Sequence, residues 1–378
     1  MVRLGDVSTI VSGSTPKTTV PEYWNGDKNW VTPAEISDDT IIVENTQRKL
    51  TSLGIKETGL KSFPAGTVLL SSRAPIGKVA IAGKDMYCNQ GFKNIICGKS
   101  LHNKYLFWYL KSKTIYLNDL GRGATFKEIS KPIVENIRIP LVSLDAQKHI
   151  AILLDTAMEH VDLRKKSLME LDNLIKSQFV EMFGDPVTNH KGWGTELLNE
   201  LGELNRGVSK HRPRNAPELL GGDYPLIQTG EIAAADMYLR EYSATYSEIG
   251  LKQSKMWPKE TLCITIAANI AKTAILGIDA CFPDSIVGFI SEERTNQIFI
   301  HFWFSFFQKL LEEQAPESAQ KNINLQTLRE LKVIVPPIDL QNRFADFVRA
   351  TDKSKFYIQK SIEESQLLFD CLMSRYFE

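Results

Sequence analysis

The sequence has no surplus of charge of either sign: 45 Lys and Arg stand against 45 Asp and Glu. A protein wrapped in a uniform basic field is therefore excluded, and any contact with a polyanion has to come from local clusters or from partner chains. Cysteine is scarce, with Cys88, Cys97, Cys263, Cys281 and Cys371 odd in number and never spaced C-x-x-C. That excludes a disulfide framework and a zinc ribbon, and the thiols read as reduced side chains, mostly buried, of a cytoplasmic protein. Cys88 and Cys97 in particular read as core thiols. Long apolar runs are missing too. The most apolar stretch, Ile298 to Phe307, is about ten residues with His301 inside it, too short to span a bilayer, and the first residues lack a signal-peptide core. No membrane role is expected.

Catalytic signatures are absent as well. Gly98-Lys99-Ser100 ends like a phosphate-binding loop, but the glycine needed five positions earlier is Lys93. No G-x-S-x-G, H-E-x-x-H or G-x-G-x-x-G occurs. Pro336-Pro337 sits in VPPI rather than in the Asn/Asp-Pro-Pro-aromatic tetrapeptide of amino-methyltransferases, and the acids after Pro283-Asp284 run into Arg294 instead of a Glu-x-Lys nuclease ending. No active site, metal site or cofactor site is expected in this chain.

What the chain does have is itself, twice. LGDVSTIVSGSTPK (Leu4 to Lys17) lies over LGELNRGVSKHRPR (Leu201 to Arg214), and from Pro64 onward the offset settles at 194: Pro64 over Pro258, K-x-A-I-x-G at Lys78 and again at Lys272, Lys127 and Ile129 over Lys321 and Ile323, Gln147 over Gln341, Phe183 over Phe377. A period this long is a duplicated domain, since solenoid units run to roughly 20 to 50 residues.

Each copy opens with a block in which short β-branched runs alternate with Gly, Pro and Asn turns. Strands are expected near 67–71, 78–81, 94–97 and 137–139, and again near 224–228, 261–266, 273–276 and 286–290. One helix is expected at about 103–119 and its counterpart at about 295–314. Each copy closes with a segment free of Pro and Gly in which a 4-3 spacing picks out Ile150, Leu154, Ala157, Val161, Arg164, Leu168, Leu171, Ile175, Gln178 and Met182, matched 194 residues later by Phe344 through Tyr376. That is the seam of a coiled coil. Gly184, Asp185 and Pro186 stop the first helix. A helix covering only its own block would show a broader apolar face, so the two helices are expected to pack on each other, antiparallel, holding the blocks apart. The fold class expected is α+β, two tandem mixed α/β domains and two long helices in an antiparallel coiled coil with pseudo-two-fold internal repetition. The boundaries are 1–143 for the first domain, 144–183 for the central helical spacer, 184–337 for the second domain and 338–378 for the C-terminal spacer.

This order of block, helix, block, helix resembles the specificity (S) subunit of type I restriction-modification enzymes over essentially the whole chain. LGDVSTIVSGSTPK, WVTPAEIS (Trp30 to Ser37), LLSSRAPIGKVAI (Leu69 to Ile81), NQGFKNI (Asn89 to Ile95) and the junctions IPLVSLDAQKHIA and VPPIDLQNRFA carry the likeness; WVTPAEIS and SSRAPIGK become LIQTGEIA and TIAANIAK in the second copy. The resemblance implies two target recognition domains, each reading half of a bipartite double-stranded DNA site, with the helices as a ruler. It also implies partners: two modification subunits carrying S-adenosylmethionine, and restriction subunits using ATP and Mg.

The residue types that could meet DNA are basic side chains for phosphate and directional amides or hydroxyls for bases. In the first block these are Ser14, Thr15 and Lys17; Arg73 and Lys78; Gln90 and Lys93; and Arg122 and Lys127 in GRGATFK. In the second, Lys210, Arg212 and Arg214 concentrate charge in a segment that holds 15 bases against 19 acids in all, and Asn269, Lys272, Lys321 and Asn322 occupy loops matching the first copy. The bland reading of each is a solvated turn. Trp30, Trp108, Trp257 and Trp303 read as core rather than as stacking platforms. A duplicated coiled-coil scaffold for proteins, without DNA binding, is the alternative from a different class.

Overall fold

The computed structural model describes residues 1–73, 75–123, 127–267, 270–314 and 323–377. The chain divides into two compact units, one made of 1–165 with 360–378 and the other of 166–359. Each unit therefore contains one block together with a piece of both long helices, and the division falls inside the helices.

In the first unit a five-stranded sheet runs in the order Ser8–Val11, Asn94–Cys97, Val68–Leu70, Val79–Ala82, Ile42–Val43, antiparallel except for its last, parallel pair. The second unit repeats it: Gly202–Arg206, Ile286–Ser291, Leu262–Thr265, Thr273–Leu276, Tyr238–Leu239, again with a parallel last pair. A smaller sheet accompanies each, built on Trp24–Val31 in one and Leu220–Leu226 in the other. The short β-branched runs form strands because, flanked by turn residues, each can bury its face only against neighbours. Trp30, Trp108, Trp257 and Trp303 are all fully buried, as core residues should be. Burial likewise pushes the Cys88 and Cys97 thiols up to about 12.

Strand pairing corrects the repeat register at its start. Ser8 pairs Cys97 as Gly202 pairs Ser291, and the Leu4 amide meets the Ile137 carbonyl as that of Leu198 meets Leu331, so the offset there is already 194 rather than the 197 of the LGDV/LGEL overlay. The second copy then gains two residues in the loop before its short Pro217 helix, giving an offset of 196 at Glu35/Glu231 and Gly54/Gly250, and loses them before Phe63/Trp257. Local Leu-Gly identity misled because a backbone ladder, not a dipeptide, fixes equivalence. The first-block helix expected over 103–119 is two helices, Asn103–Ser112 and Thr114–Asp119, turning at Lys113.

The long helices span Leu144–Phe183 and Ile338–Phe377. Ser143 caps the first, its hydroxyl accepting from the Ala146 amide at 3.3 Å. At the other end Gly184 takes the left-handed conformation (φ 79°), while Lys191 Nζ donates to the Met182 carbonyl at 3.2 Å and Trp193 Nε1 to that of Phe183 at 2.8 Å, satisfying carbonyls that a helix end leaves bare.

Within each unit the two helical segments run antiparallel and touch. In the first, Arg164 donates to the Ser365 hydroxyl at 3.1 Å. In the second, Lys355 pairs with Asp172 at 2.7 Å while Phe344 packs edge-on against Phe179 and Phe183. The helices also pack on the blocks. Ile150, Leu154 and Ala157, with Phe369 and Phe377 of the second helix, join one core, where Phe369 meets Trp108 and Phe377 meets Tyr105 and Tyr109. Phe179 and Phe183 join Phe344 and Phe299 in the other. The helices were expected to pack on each other and not only on their own blocks; here each helix does both, and Phe179 and Phe183, outside the expected seam positions, meet Phe344 of the other helix and Phe299 of the block alike, while Phe377 faces Tyr105 and Tyr109.

One side chain fixes each junction. Gln147, fully buried, accepts from the His102 amide at 2.8 Å and donates to the carbonyls of Ser100 and Val142, both at 2.9 Å. Gln341, also fully buried, accepts from the Asn296 amide at 3.1 Å and donates to Arg294 and Pro336 at 3.2 and 2.8 Å, the same three positions one repeat later. Gln147→Met keeps the volume and strands one amide and two carbonyls, so it should destabilise the chain by about 1–3 kcal/mol. Urea unfolding measures this; a loss below roughly 0.5 kcal/mol, within the range of an ordinary surface change, would contradict the role given to the glutamine.

Candidate nucleic-acid interface

The nine first-block candidates lie on one connected set of loops. The Ser14 amide donates to the Cys88 carbonyl at 3.1 Å, and the Thr15 hydroxyl donates to the Gln90 side-chain oxygen. Gly91, next along, accepts from the Ser72 amide at 2.7 Å, and Ser72 in turn accepts from that of Ile129 at 3.0 Å. Lys17 holds Trp24 through its carbonyl, accepting from Nε1 at 3.2 Å. Lys78 donates through Nζ to the Pro33 carbonyl at 3.1 Å.

Glu128 organises the rest. Its carboxylate takes Arg73 at 3.5 Å and Lys93 at 2.9 Å, and its backbone exchanges both hydrogen bonds with Arg122. Lys93 is 8% exposed and donates also to the Ser72 hydroxyl at 3.3 Å, so its charge is used inside the block. Arg122 and Lys127 are exposed.

The second block repeats the route with other side chains. The Val208 amide meets the Phe282 carbonyl at 3.2 Å, where Ser14 meets Cys88 in the first. Gln253 accepts through Oε1 from the amides of Lys210 and His211 at 2.7 and 3.0 Å and shapes that loop. Asp284 holds Arg212 at 3.5 Å and Arg214 closer still. The Ser285 carbonyl accepts from Ile266 at 3.1 Å, and Thr265 carries the Lys272 amide on its hydroxyl at 3.1 Å, as Ser71 carries Lys78 at 2.8 Å. Lys210 and Lys272 are exposed. Asn269, Lys321 and Asn322 lie outside the described residues.

A search for donors missed the two carboxylates, Glu128 and Asp284, that orient the cations. Nothing in FKEIS or FPDS marks them, because the arginines and lysines they hold lie from 35 to 72 residues away in the chain.

The duplicated blocks, their paired helices and the mixed sheets define a class that comparison with known proteins identifies. The pattern described as "Type I restriction modification DNA specificity domain" matches residues 1–173 and 190–365. The chain belongs to that family. It is 26% identical to the type I restriction enzyme MjaIX specificity subunit of Methanocaldococcus jannaschii, over 99% of this chain and 91% of that protein. It is 22% identical to the putative type I specificity subunit S.MpnORF638P of Mycoplasma pneumoniae, over 86% and 87%. The fold matches the crystal structure of the type I restriction-modification S subunit from M. genitalium with a TM-score of 0.64 at 15% identity, covering 100% of this chain and 95% of that one. A chain from a structural study of complex assembly and conformational transition of the type I R-M system matches at 0.61 and 18%, covering 100% and 97%. Among the described residues no helix is long and apolar enough to cross a membrane.

A second polar site lies in the second unit, in a cavity of about 260 Å³ lined by Asp172, Asp236, Lys272, His301, Asp352 and Lys355 among others. Its polar groups replace apolar ones of the first copy: His301, Thr273 and Lys355 stand where Phe107, Val79 and Val161 are buried. Lys355 bridges Asp172 and Asp236, and His301 Nδ1 lies 2.9 Å from the Thr273 hydroxyl. Burial lowers the pKa of His301 to about 4 from 6.5, while burial raises that of Asp352. The unfolded chain thus binds the histidine proton more readily between those two values, and stability falls as the pH drops through that window. His301→Phe, restoring the first copy's residue, should flatten this decline in melts taken from pH 7 to 4. Parallel curves for variant and parent would contradict it.

Proposed function

We propose that this chain is the DNA-reading, non-catalytic subunit of a type I restriction-modification complex, in which each block reads one half of a bipartite double-stranded site and the paired helices set the unread spacing. Residues 1–143 and 184–337 are then the two target recognition domains, and 144–183 with 338–378 the spacer. Family membership over both copies carries the reading, and the relatives bear the name of specificity subunits. What supports it in the chain is that the same loops recur in both blocks while their side chains differ: Thr15, Gln90 and Glu128 in one, Arg212, Arg214 and Asp284 in the other. A scaffold that only docked proteins would have no use for one loop frame carrying two different sets of directional polar groups.

Methyl transfer from S-adenosylmethionine, and the ATP- and Mg-dependent work of translocation and cleavage, fall on this reading to two modification subunits and to restriction subunits, in the cytoplasm. The chain's own task is to hold donors against base edges and cations against phosphate. Exposed Lys17, Arg122, Lys127, Lys210 and Lys272 are suited to phosphate; the hydroxyls and amides of Ser14, Thr15 and Gln90 are suited to bases.

Exchange of residues 184–337 for the matching block of a relative, in the complex with modification subunits, should change one half of the methylated motif and leave the other. Binding of the unaltered complex should weaken steeply across a salt series, as released counter-ions require. A motif unchanged by the exchange, or binding indifferent to salt, would remove the proposal.

A further inference from the structure

The two blocks make the same loop-to-loop contact with different chemistry. Gln90 and Asp284 occupy one position of the repeat, each two residues beyond the carbonyl that receives the first loop. In the first block the Gln90 amide oxygen accepts from the Thr15 hydroxyl. In the second, Asp284 receives two guanidinium groups, and these are not alike. Arg212 is spent on the protein: its Nη1 donates to the carbonyls of Ser209 and His211 at 2.7 and 2.8 Å while Nη2 lies 3.5 Å from Asp284. Arg214 commits Nη2 to Asp284, keeps a side chain 45% exposed, and meets no other acceptor among the described residues.

A carboxylate touching both arginines cancels one of their two charges and repels phosphate oxygens, which makes the pair a poor phosphate clamp. The same carboxylate holds the guanidinium of Arg214 in one plane, so that less freedom is lost when it donates two parallel hydrogen bonds. Two parallel donors match O6 and N7 of guanine in the major groove. Beside Arg214 is a recess of about 310 Å³ lined also by Ser209, Gln228, Thr229 and Ser285. Ser209 there is 7% exposed as a residue, and its hydroxyl oxygen is enclosed and has no hydrogen-bond partner among the described residues. A recess lined by the neutral polar side chains of Ser209, Gln228, Thr229 and Ser285 suits the edge of a base better than a phosphate, which seeks charge.

We infer that Arg214, oriented by Asp284, reads the guanine of a G·C pair in the second half-site, and that Gln90, at the matching place, reads an adenine in the first. The inference rests on the DNA-reading function proposed above. Lys210 and Lys272, exposed and without a carboxylate partner among the described residues, contact phosphate instead.

The test maps methylated sites, with and without single base-pair changes, for the complex of this chain with its modification subunits. Arg214→Ala and Asp284→Asn should each lower discrimination at one G·C position of the second half-site by at least about tenfold and leave the first half-site as it was. That intact half-site shows in the same experiment that the variant has folded and assembled. Gln90→Ala should relax an A·T position of the first half-site only. Lys210→Ala should weaken binding to all sequences alike and reduce the salt dependence. If the unaltered complex shows a bipartite motif and the Arg214 and Asp284 variants keep it at every position, or lose both halves together, the inference is overturned while the function stands. If the unaltered complex has no bipartite motif, the function itself fails and the inference goes with it.

Discussion

A glutamine buried without any exposure at the start of each long helix is the constraint on which the rest depends. Its amide is satisfied on both sides by the backbone of the block: one donor and two carbonyls around Gln147, and the same three positions around Gln341. An amide in that position cannot slide or turn without leaving buried partners unpaired, each at a cost of about 1–3 kcal/mol. The helix therefore leaves its block in a fixed direction. The apolar packing of Leu154 and Ile150 in one unit, and of Phe344 and Val348 in the other, adds strength but little direction, since hydrophobic contact is not directional. On the proposed function the reading of two half-sites requires that junction to be stiff, because a hinge between block and helix would erase the measured spacing.

Duplication supplies a frame and divergence supplies the content. Where the frame must be kept, the copies agree down to single hydrogen bonds: Ser71 with Lys78 and Thr265 with Lys272, Thr67 with Pro64 and Thr261 with Pro258, Glu35 and Glu231 each closing the same two turns. Where the loops face outward the copies part, as with Gln90 against Asp284. They part in the core as well. Buried His301 and partly buried Lys355 stand for Phe107 and Val161, and the ion pairs that Lys355 makes with Asp172 and Asp236 tie both helical segments to the second block. With both carboxylates open to solvent the network adds little net stability, and its value lies in fixing which residues meet.

Much of this was legible in the sequence because it is periodic. The offset of 194, the strands around Asn94–Cys97 and Thr273–Leu276, the ends of the helix closed by Gly184, and the antiparallel seam through Ile150, Leu154, Val348 and Ile362 all follow from spacing and turn chemistry. What escaped was non-local. The true register of the first fourteen residues depends on strand partners some 90 residues away, and the burial of Phe179, Phe183 and Phe377 depends on aromatic residues of the blocks. Gln147 and Gln341 were visible as a repeated pair but not as anchors, since a glutamine at a helix start reads as solvated. Among the candidate contacts, Lys93 looked like a surface cation and is enclosed with Glu128, and the carboxylates that sort cations into braced and free were not sought.

The central claim is that stiffly anchored, mutually paired helices set the distance between two readers. Insertion of four residues into each helix, after Lys165 and after Gln359, adds about 6 Å of helix, comparable with one to two base-pair steps of about 3.4 Å. Mapping methylated sites for the complex with that chain should return both half-sites unchanged and the unread stretch between them longer by about one or two base pairs. The original spacing, kept with undiminished methylation, would contradict the account.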